Sequence, residues 1–171
     1  MFVTRFAPSP TGRLHKGHAF SALTAWGAAH AAGGRFLLRI EDIDPTRCRP
    51  EFETGDGPGG ERGLIRARPE TAGDVVVARK DAGAAYHVAV THDDDLQGVT
   101  HVIRGQDLFE AAHVQVLLQA LMGWPTPVYR HHRLLTGEDG RRLAKRDQSV
   151  TLAQLRADGV SPVTLRAELG F

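Results

Sequence analysis

The chain has 171 residues and a formal net charge of +1, so its overall charge does not mark it as a nucleic-acid binder and a phosphate site must come from local clusters. Its 42% hydrophobic content excludes a disordered protein, and its one cysteine, Cys48, excludes an intrachain disulfide and a zinc cage of several cysteines. No apolar run is long enough to span a bilayer and the N-terminus lacks the layout of a secretory signal. We therefore expect a cytoplasmic protein without membrane contact.

The first half of an α/β core is predicted over residues 1–53. A β-like run over 2–6 stops at a turn rich in proline, and an Ala- and Leu-rich helix is expected over about 16–32, ending at Gly33. The apolar run 36–40 is typical of a strand buried on both faces. Strand, helix and strand of these lengths predict a βαβ unit with parallel strands.

A Gly-rich tract over 54–73 interrupts the core. It holds six glycines and two prolines, and Leu64 and Ile65 are its only large apolar residues. Such a segment buries too little apolar surface to offset its ordering entropy. It is predicted to be a linker or a surface loop.

The second half of the core is predicted over 74–150, followed by a short helical segment over 151–171. Strands are expected over 74–79, 86–91, 100–104 and 128–135. A helix over 109–122 is predicted to bury one apolar face, made of Ala112, Val116, Leu117, Ala120 and Leu121. Two short helices are expected over 151–157 and 162–169, the second capped by Ser161. The sum is an α/β fold with one parallel sheet flanked by helices.

The first group of candidate functional residues lies in the turn after the first strand. A strand-to-helix turn at the carboxyl edge of a parallel sheet offers backbone N–H groups and a helix dipole to an anion. His15 and His18 lie on one face of the first helical turn and can donate to phosphate oxygens, and Gly17 leaves room for a flat base. Taken alone, the two histidines fit a surface or metal-binding pair better.

The second group is Arg141-Arg142-Leu143-Ala144-Lys145-Arg146. Four cations in six residues can neutralise a triphosphate, and a flexible loop lets a lysine follow a leaving pyrophosphate. In isolation, such a hexamer is more typical of a solvated basic face.

Four ordered motifs together resemble a known family. They are RFAPSPTG from Arg5 with the HKGH that follows, RIEDID from Arg39, GVTHVIRG from Gly98 and LAKR from Leu143. The first and last resemble the HIGH and KMSKS signatures of class I aminoacyl-tRNA synthetases, and the full set is similar to their glutamyl branch. Within that branch the resemblance is greatest to the glutamyl-Q tRNA(Asp) synthetases, which lack the anticodon-binding domain. It covers residues 1–53 and 74–171 and implies a Rossmann-like catalytic core.

The resemblance assigns roles to individual residues. It implies His15, His18 and Lys145 as catalytic residues, which with Gly17 bind ATP, and it implies a glutamate pocket made of Arg5, Ala7, Ser9, Glu41, Tyr86 and Arg104. The chemistry suits these roles, because arginines pair with carboxylates and Glu41 can pair with the ammonium group. Taken singly, Arg104 could cap a strand end, Tyr86 could be a core residue and Glu41 could belong to an acidic turn.

The resemblance also implies a reaction. Glutamate is activated with ATP and Mg²⁺ to glutamyl-adenylate without tRNA, and then transferred to queuosine in the anticodon of tRNA(Asp). The alternatives are a truncated remnant that binds ATP or RNA without completing aminoacylation, and a partly folded product of a deletion. A discrete glutamyl-tRNA synthetase is less favoured, because no room is left for an anticodon domain.

The sequence departs from the family in two places. Family members are longer between the acidic motif and residue 74, where a zinc site often lies, and Cys48 belongs to no zinc-binding pattern here, so no zinc is expected. The loss of that stretch predicts exposed apolar surface. Arg142 and Ala144 stand where Lys and Ser are frequent, whereas Lys145 is retained. A monomer is favoured.

Overall fold

The computed structural model describes residues 1–8, 12–39, 67–81, 83–136 and 150–171. Within these ranges the strands are β1 (Val3–Phe6), β2 (Arg35–Leu38), β3 (His101–Gly105) and β4 (Val128–His132). The helices are α1 (Lys16–Ala31), α2 (Tyr86–Leu96), α3 (Phe109–Met122), α4 (Leu152–Ala157) and α5 (Pro162–Leu169), with 3₁₀ turns at Pro69–Ala72 and Gln106–Leu108. None of the described helices is long and apolar enough to cross a membrane.

The four strands form one parallel sheet in the order β2-β1-β3-β4. Strand β2 pairs with β1 from Val3 opposite Arg35, and β3 lies on the other side of β1, with Thr4 opposite His101. The strand order therefore reverses between β1 and β3. The carboxyl ends of these two strands flank the crevice where open α/β sheets bind ligands. The expected α/β fold with both halves in one sheet is confirmed.

Helices cover both faces of this sheet. Two successive residues of β4 show it, because the His132 ring lies 3.0 Å from the Ser21 hydroxyl of α1, whereas His131 packs against Phe109 at the start of α3. Successive side chains of a strand point to opposite faces, so α1 and α3 lie on opposite sides. Helix α2 packs beside α3.

The C-terminal helices pack on α1. Leu169 of α5 joins a buried cluster with Phe20 and Leu23, and Lys16 forms a salt bridge with Glu168. The Ser161 hydroxyl accepts a hydrogen bond from the Thr164 amide at 3.0 Å, as expected of an N-cap. The predicted helical C-terminus is therefore confirmed, and it is docked against the first helix of the core.

Two predicted strands are wrong. Residues 86–91 belong to α2, where the Thr91 hydroxyl donates to the carbonyl of His87 one turn earlier, at 2.7 Å. The alternation of apolar residues suggested a strand, but the burial of Val90, Thr91 and Asp94 follows the helical period. Residues 74–79 form neither strand nor helix, and Val76 and Val77 are exposed.

Burial differs from expectation in two further elements. The strand predicted over 36–40 is observed as β2, an edge strand that leaves Leu38 half exposed, because within the described sheet no strand covers its outer side. The predicted apolar face of α3 is wrong apart from Ala112, which is buried, since Leu117 and Leu121 are exposed and the buried face carries Gln115 and Gln119. These glutamines face polar groups of the sheet, described below, and an apolar face could not satisfy them.

Candidate active site

The two histidines lock the turn into α1. His15 is the N-cap residue, and its Nδ1 accepts a hydrogen bond from the Gly17 amide at 3.1 Å. His18 completes the capping box, since its Nδ1 accepts from the His15 amide at 3.2 Å, and the two ring centroids are 3.9 Å apart. Because each Nδ1 is an acceptor, each neutral ring carries its proton on Nε2. Both imidazoles are thus held as Nε2 donors.

This turn has the features of an anion site. It leads from the carboxyl end of β1 into a helix of 16 residues, and no acidic residue lies in the first turn of α1. The positive end of the helix dipole is therefore not neutralised within the helix. The arrangement suits a phosphate group.

The chain that follows residues 141–146, the basic motif, returns to the histidines. Thr151 forms an antiparallel β-bridge with His15, and the Leu152 amide donates to the carbonyl of Leu14 at 2.8 Å. Lys145 and the rest of the basic motif lie outside the described residues, as do Ser9 and Glu41.

Arg5 and Arg104 lie at the carboxyl ends of β1 and β3 and are both buried. Arg5 forms a salt bridge with Asp94 of α2 at 2.7 Å and donates to Gln97 Oε1 at 3.0 Å. The Arg104 guanidinium donates to Gln115 Oε1 at 2.8 Å, to the Leu108 carbonyl at 3.0 Å and to His131 Nε2 at 3.2 Å, and it lies 5.2 Å from the centre of the Tyr129 ring.

The electrostatics show that these groups form one cluster. Burial raises the pKa of Asp94 to about 6, against the opposing effect of both Arg5 and Arg104, so both arginines lie close to this carboxylate. Burial, and to a lesser extent Arg104, lowers the pKa of His87. Burial raises the pKa of Tyr129 to about 12, which keeps its hydroxyl neutral.

The remaining predicted residues are placed as follows. Tyr86 is the first residue of α2, is half-buried, and lies close enough to act on the pKa of Tyr129 together with Arg104. Ala7 directly follows β1. The structure thus groups Arg5, Arg104 and Tyr86, and it builds the histidine turn at the end of the strand that carries Arg5.

The partners of the two arginines are not among the residues predicted from the sequence. Asp94 lies within the acidic run 93–95, and three successive aspartates in a helix indicate that at least one of them pairs with a cation. Gln115 and Gln119 gave a signal too, since polar residues four positions apart interrupt the pattern of α3.

The described residues contain no group of three or more His, Cys, Asp and Glu that could hold a metal ion. Their donors fit phosphate and carboxylate groups instead.

The sequence profile of the family "tRNA synthetases class I (E and Q), catalytic domain" matches residues 1–55 and 61–170. A glutamyl-Q tRNA(Asp) synthetase of Rhodobacter capsulatus is 36% identical over 277 alignment positions, which cover 99% of this chain and 100% of the relative. Another, of Symbiobacterium thermophilum, is 32% identical over 100% of this chain and 86% of the relative. Since 277 positions exceed 171 residues, the first relative carries a stretch without counterpart here.

Solved structures share the fold. The glutamate-tRNA synthetase of Elizabethkingia anophelis matches 85% of this chain with a TM-score of 0.66 and 23% identity, and the chain spans about half of it (53%). The tyrosyl-tRNA synthetase of Archaeoglobus fulgidus matches the same share with a TM-score of 0.57, 16% identity and 59% of its own length. The chain therefore belongs to the class I tRNA synthetases for E and Q, in the family of the glutamyl-Q tRNA(Asp) synthetases.

Proposed function

We propose that this chain activates glutamate with ATP in the absence of tRNA. A glutamate carboxylate oxygen attacks the α-phosphorus, a new P–O bond forms, and the bond from that phosphorus to the bridging oxygen of the β-phosphate breaks. The products are glutamyl-adenylate and pyrophosphate. The observation that carries the proposal is the pair of buried arginines beside a capped histidine turn, at the switch point of a parallel sheet.

ATP is assigned to the histidine turn and to the basic motif. His15 and His18, held as Nε2 donors, stabilise charge that develops on the phosphate oxygens, and Gly17 admits the base. Lys145 is assigned to the phosphates by resemblance, and the bridge from Thr151 to His15 supports this role because it joins the chain after the motif to the turn. Mg²⁺, bound through the triphosphate, supplies further charge neutralisation.

Glutamate is assigned to the arginine side of the crevice. Arg5 and Arg104 bind its carboxylates, Tyr86 closes the pocket, and Ala7 contributes backbone polar groups. Glu41 and Ser9 are assigned to the ammonium group and to the polar end of the substrate by resemblance alone. Two buried cations beside one carboxylate, Asp94, favour an anionic substrate.

Transfer of the glutamate to queuosine in tRNA(Asp) is the proposed second step. Its support is the name of two relatives at 32–36% identity, with alignments that span 86–100% of their length. A second candidate, an ATP-binding remnant that does not complete transfer, is favoured by the stretch that the first relative has and this chain lacks.

The activation step is tested by glutamate-dependent exchange between ATP and labelled pyrophosphate. We expect exchange in the wild type and a loss of about 100-fold or more in Lys145→Ala and in His18→Ala. Lys80→Ala is the matched control, because Lys80 is exposed and lies outside the assigned site, and it should retain full activity. Exchange at background level in the wild type refutes the proposal.

The transfer step is tested separately with purified tRNA(Asp) that carries queuosine and the same tRNA with guanine in its place. Labelled glutamate on the queuosine form alone supports the complete reaction. Exchange without any transfer to either tRNA supports the remnant.

A further inference from the structure

The two buried arginines differ in the charge of their partners. Arg5 is neutralised by a carboxylate, Asp94, at 2.7 Å. Arg104 is held by three acceptors that carry no formal charge when His131 is neutral, namely Gln115 Oε1, the Leu108 carbonyl and His131 Nε2. Among the described residues, no carboxylate lies within salt-bridge distance of Arg104.

This difference has an energetic consequence. A guanidinium stays protonated in a protein, so a buried arginine that no carboxylate contacts directly is costly and gains most from a carboxylate that approaches it. Asp94, which acts on Arg104 from a distance, makes its direct ion pair with Arg5. Arg104 is only 8% exposed, and its three contacts use one N–H on each of its nitrogens. One N–H remains on each of the two terminal nitrogens, which matches the two oxygens of one carboxylate.

We propose that Gln115 is a positioning residue that orients Arg104 through a neutral acceptor, and so keeps the charge of this arginine for a substrate carboxylate. The inference rests on the proposed function and deepens it. Gln115 is 1% exposed, and its amide oxygen must face Arg104 because a guanidinium only donates. A glutamate at this position would hold the guanidinium equally well, but would also neutralise it.

The same helix supplies a matched control. Gln119 lies one turn after Gln115, is also 1% exposed, and donates from Nε2 to the Tyr129 hydroxyl at 2.9 Å. It contacts no cation among the described residues. The same substitution at the two positions therefore places a carboxylate beside a buried cation in one variant and beside a neutral phenol in the other.

The first measurement is thermal unfolding of Gln115→Glu and Gln119→Glu. We expect the melting temperature of Gln115→Glu to rise by about 2–4 °C. We expect that of Gln119→Glu to fall by at least as much, because its buried carboxylate would face a neutral hydroxyl, that of Tyr129, and no cation. Equal shifts in the two variants overturn the inference, since Arg104 would then already be balanced. This measurement does not depend on activity.

The second measurement is the KM for glutamate and for ATP in the exchange assay. In Gln115→Glu we expect the KM for glutamate to rise by about tenfold or more with the KM for ATP unchanged, since the new carboxylate competes for the guanidinium. Gln115→Met, which removes the acceptor without adding charge, should raise the KM for glutamate less and lower the melting temperature. A purely structural role predicts the reverse order, with Gln115→Glu the milder variant.

The two proposals fail in different ways. A wild type without glutamate-dependent exchange refutes the proposed function and, with it, the substrate role given to Arg104. A wild type that exchanges normally, together with an unchanged KM for glutamate in Gln115→Glu, refutes the positioning role of Gln115 alone.

Discussion

The substitution Gly17→Ala tests the histidine turn directly. A Cβ at position 17 would lie 2.9 Å from His15 Cε1 and 3.1 Å from His15 Nδ1. These distances are too short for carbon contacts, so the imidazole must leave its place. Its Nδ1 would then lose the hydrogen bond that it accepts from the amide of residue 17.

The expected effect on stability is small, because two contributions oppose each other. Loss of the N-cap hydrogen bond costs about 1 kcal/mol in the free energy of unfolding. Alanine in place of glycine within a helix contributes about 1 kcal/mol in the other direction. The net change should lie within about 1 kcal/mol, while displacement of the His15 donor should lower the exchange rate by about tenfold or more.

The assay combines urea unfolding with ATP–pyrophosphate exchange. Gly27→Ala is the control, since it makes the same exchange ten residues later in α1, away from the turn, and should leave exchange unaffected. Full exchange activity in Gly17→Ala would show that the position of the His15 ring does not matter to the reaction. That result would refute the role assigned to the capped turn.

Three further predictions concern stability. Because the pKa of Asp94 is raised to about 6, its contribution to stability is lost as the pH rises from about 4 to 6. The difference in unfolding free energy between wild type and Asp94→Asn should fall over that range and then stay level. A difference that is constant with pH would contradict this. Burial lowers the pKa of His132, so the contribution of this residue to stability is lost on acidification below its ordinary pKa of 6.5. In urea unfolding at pH 5 and 7, the free energy of unfolding should fall less between pH 7 and pH 5 in His132→Gln than in the wild type. Leu169→Ala should lower the free energy of unfolding by about 2–5 kcal/mol, because Leu169 is 4% exposed and packs against α1. The control is Leu121→Ala, at a residue that is 71% exposed. An equal loss in the two variants would argue against the docking of α5 on α1.

The regular elements of the core could be predicted where local signals agree. Helix α3 has its predicted bounds, because Gly123, with a φ of 70°, ends it in the left-handed conformation that glycine adopts readily. Helix α2 was mistaken for a strand because its N-cap, Ala85, has no capping side chain, and Tyr86, Val88 and Val90 alternate with the other residues. With no local signal for its start, only packing against α3 distinguishes this helix from a strand.

The residue types of the candidate site could be predicted from the sequence, but the groups that neutralise or orient its arginines could not. The arginines were identifiable from the motifs that carry them. Their partners were not identifiable. Asp94 pairs with Arg5 across 89 positions of sequence. Gln115 lies on the buried face of α3, although the opposite, exposed face of that helix carries the leucines Leu117 and Leu121. Which face of α3 turns inward depends on the polar groups of β3 and β4 that it must satisfy, and no pattern within α3 contains that information.

The C-terminal helices contribute to the candidate site although none of their described side chains is assigned to substrate. The start of α1 is held from two directions: Thr151 bridges to His15, and Glu168 pairs with Lys16. The second of these helices, α5, buries Leu169 against Phe20, two residues after His18. The proposed action of His15 and His18 on a phosphate requires this turn to be fixed, so docking of the C-terminal helices and the proposed binding of ATP should stabilise each other.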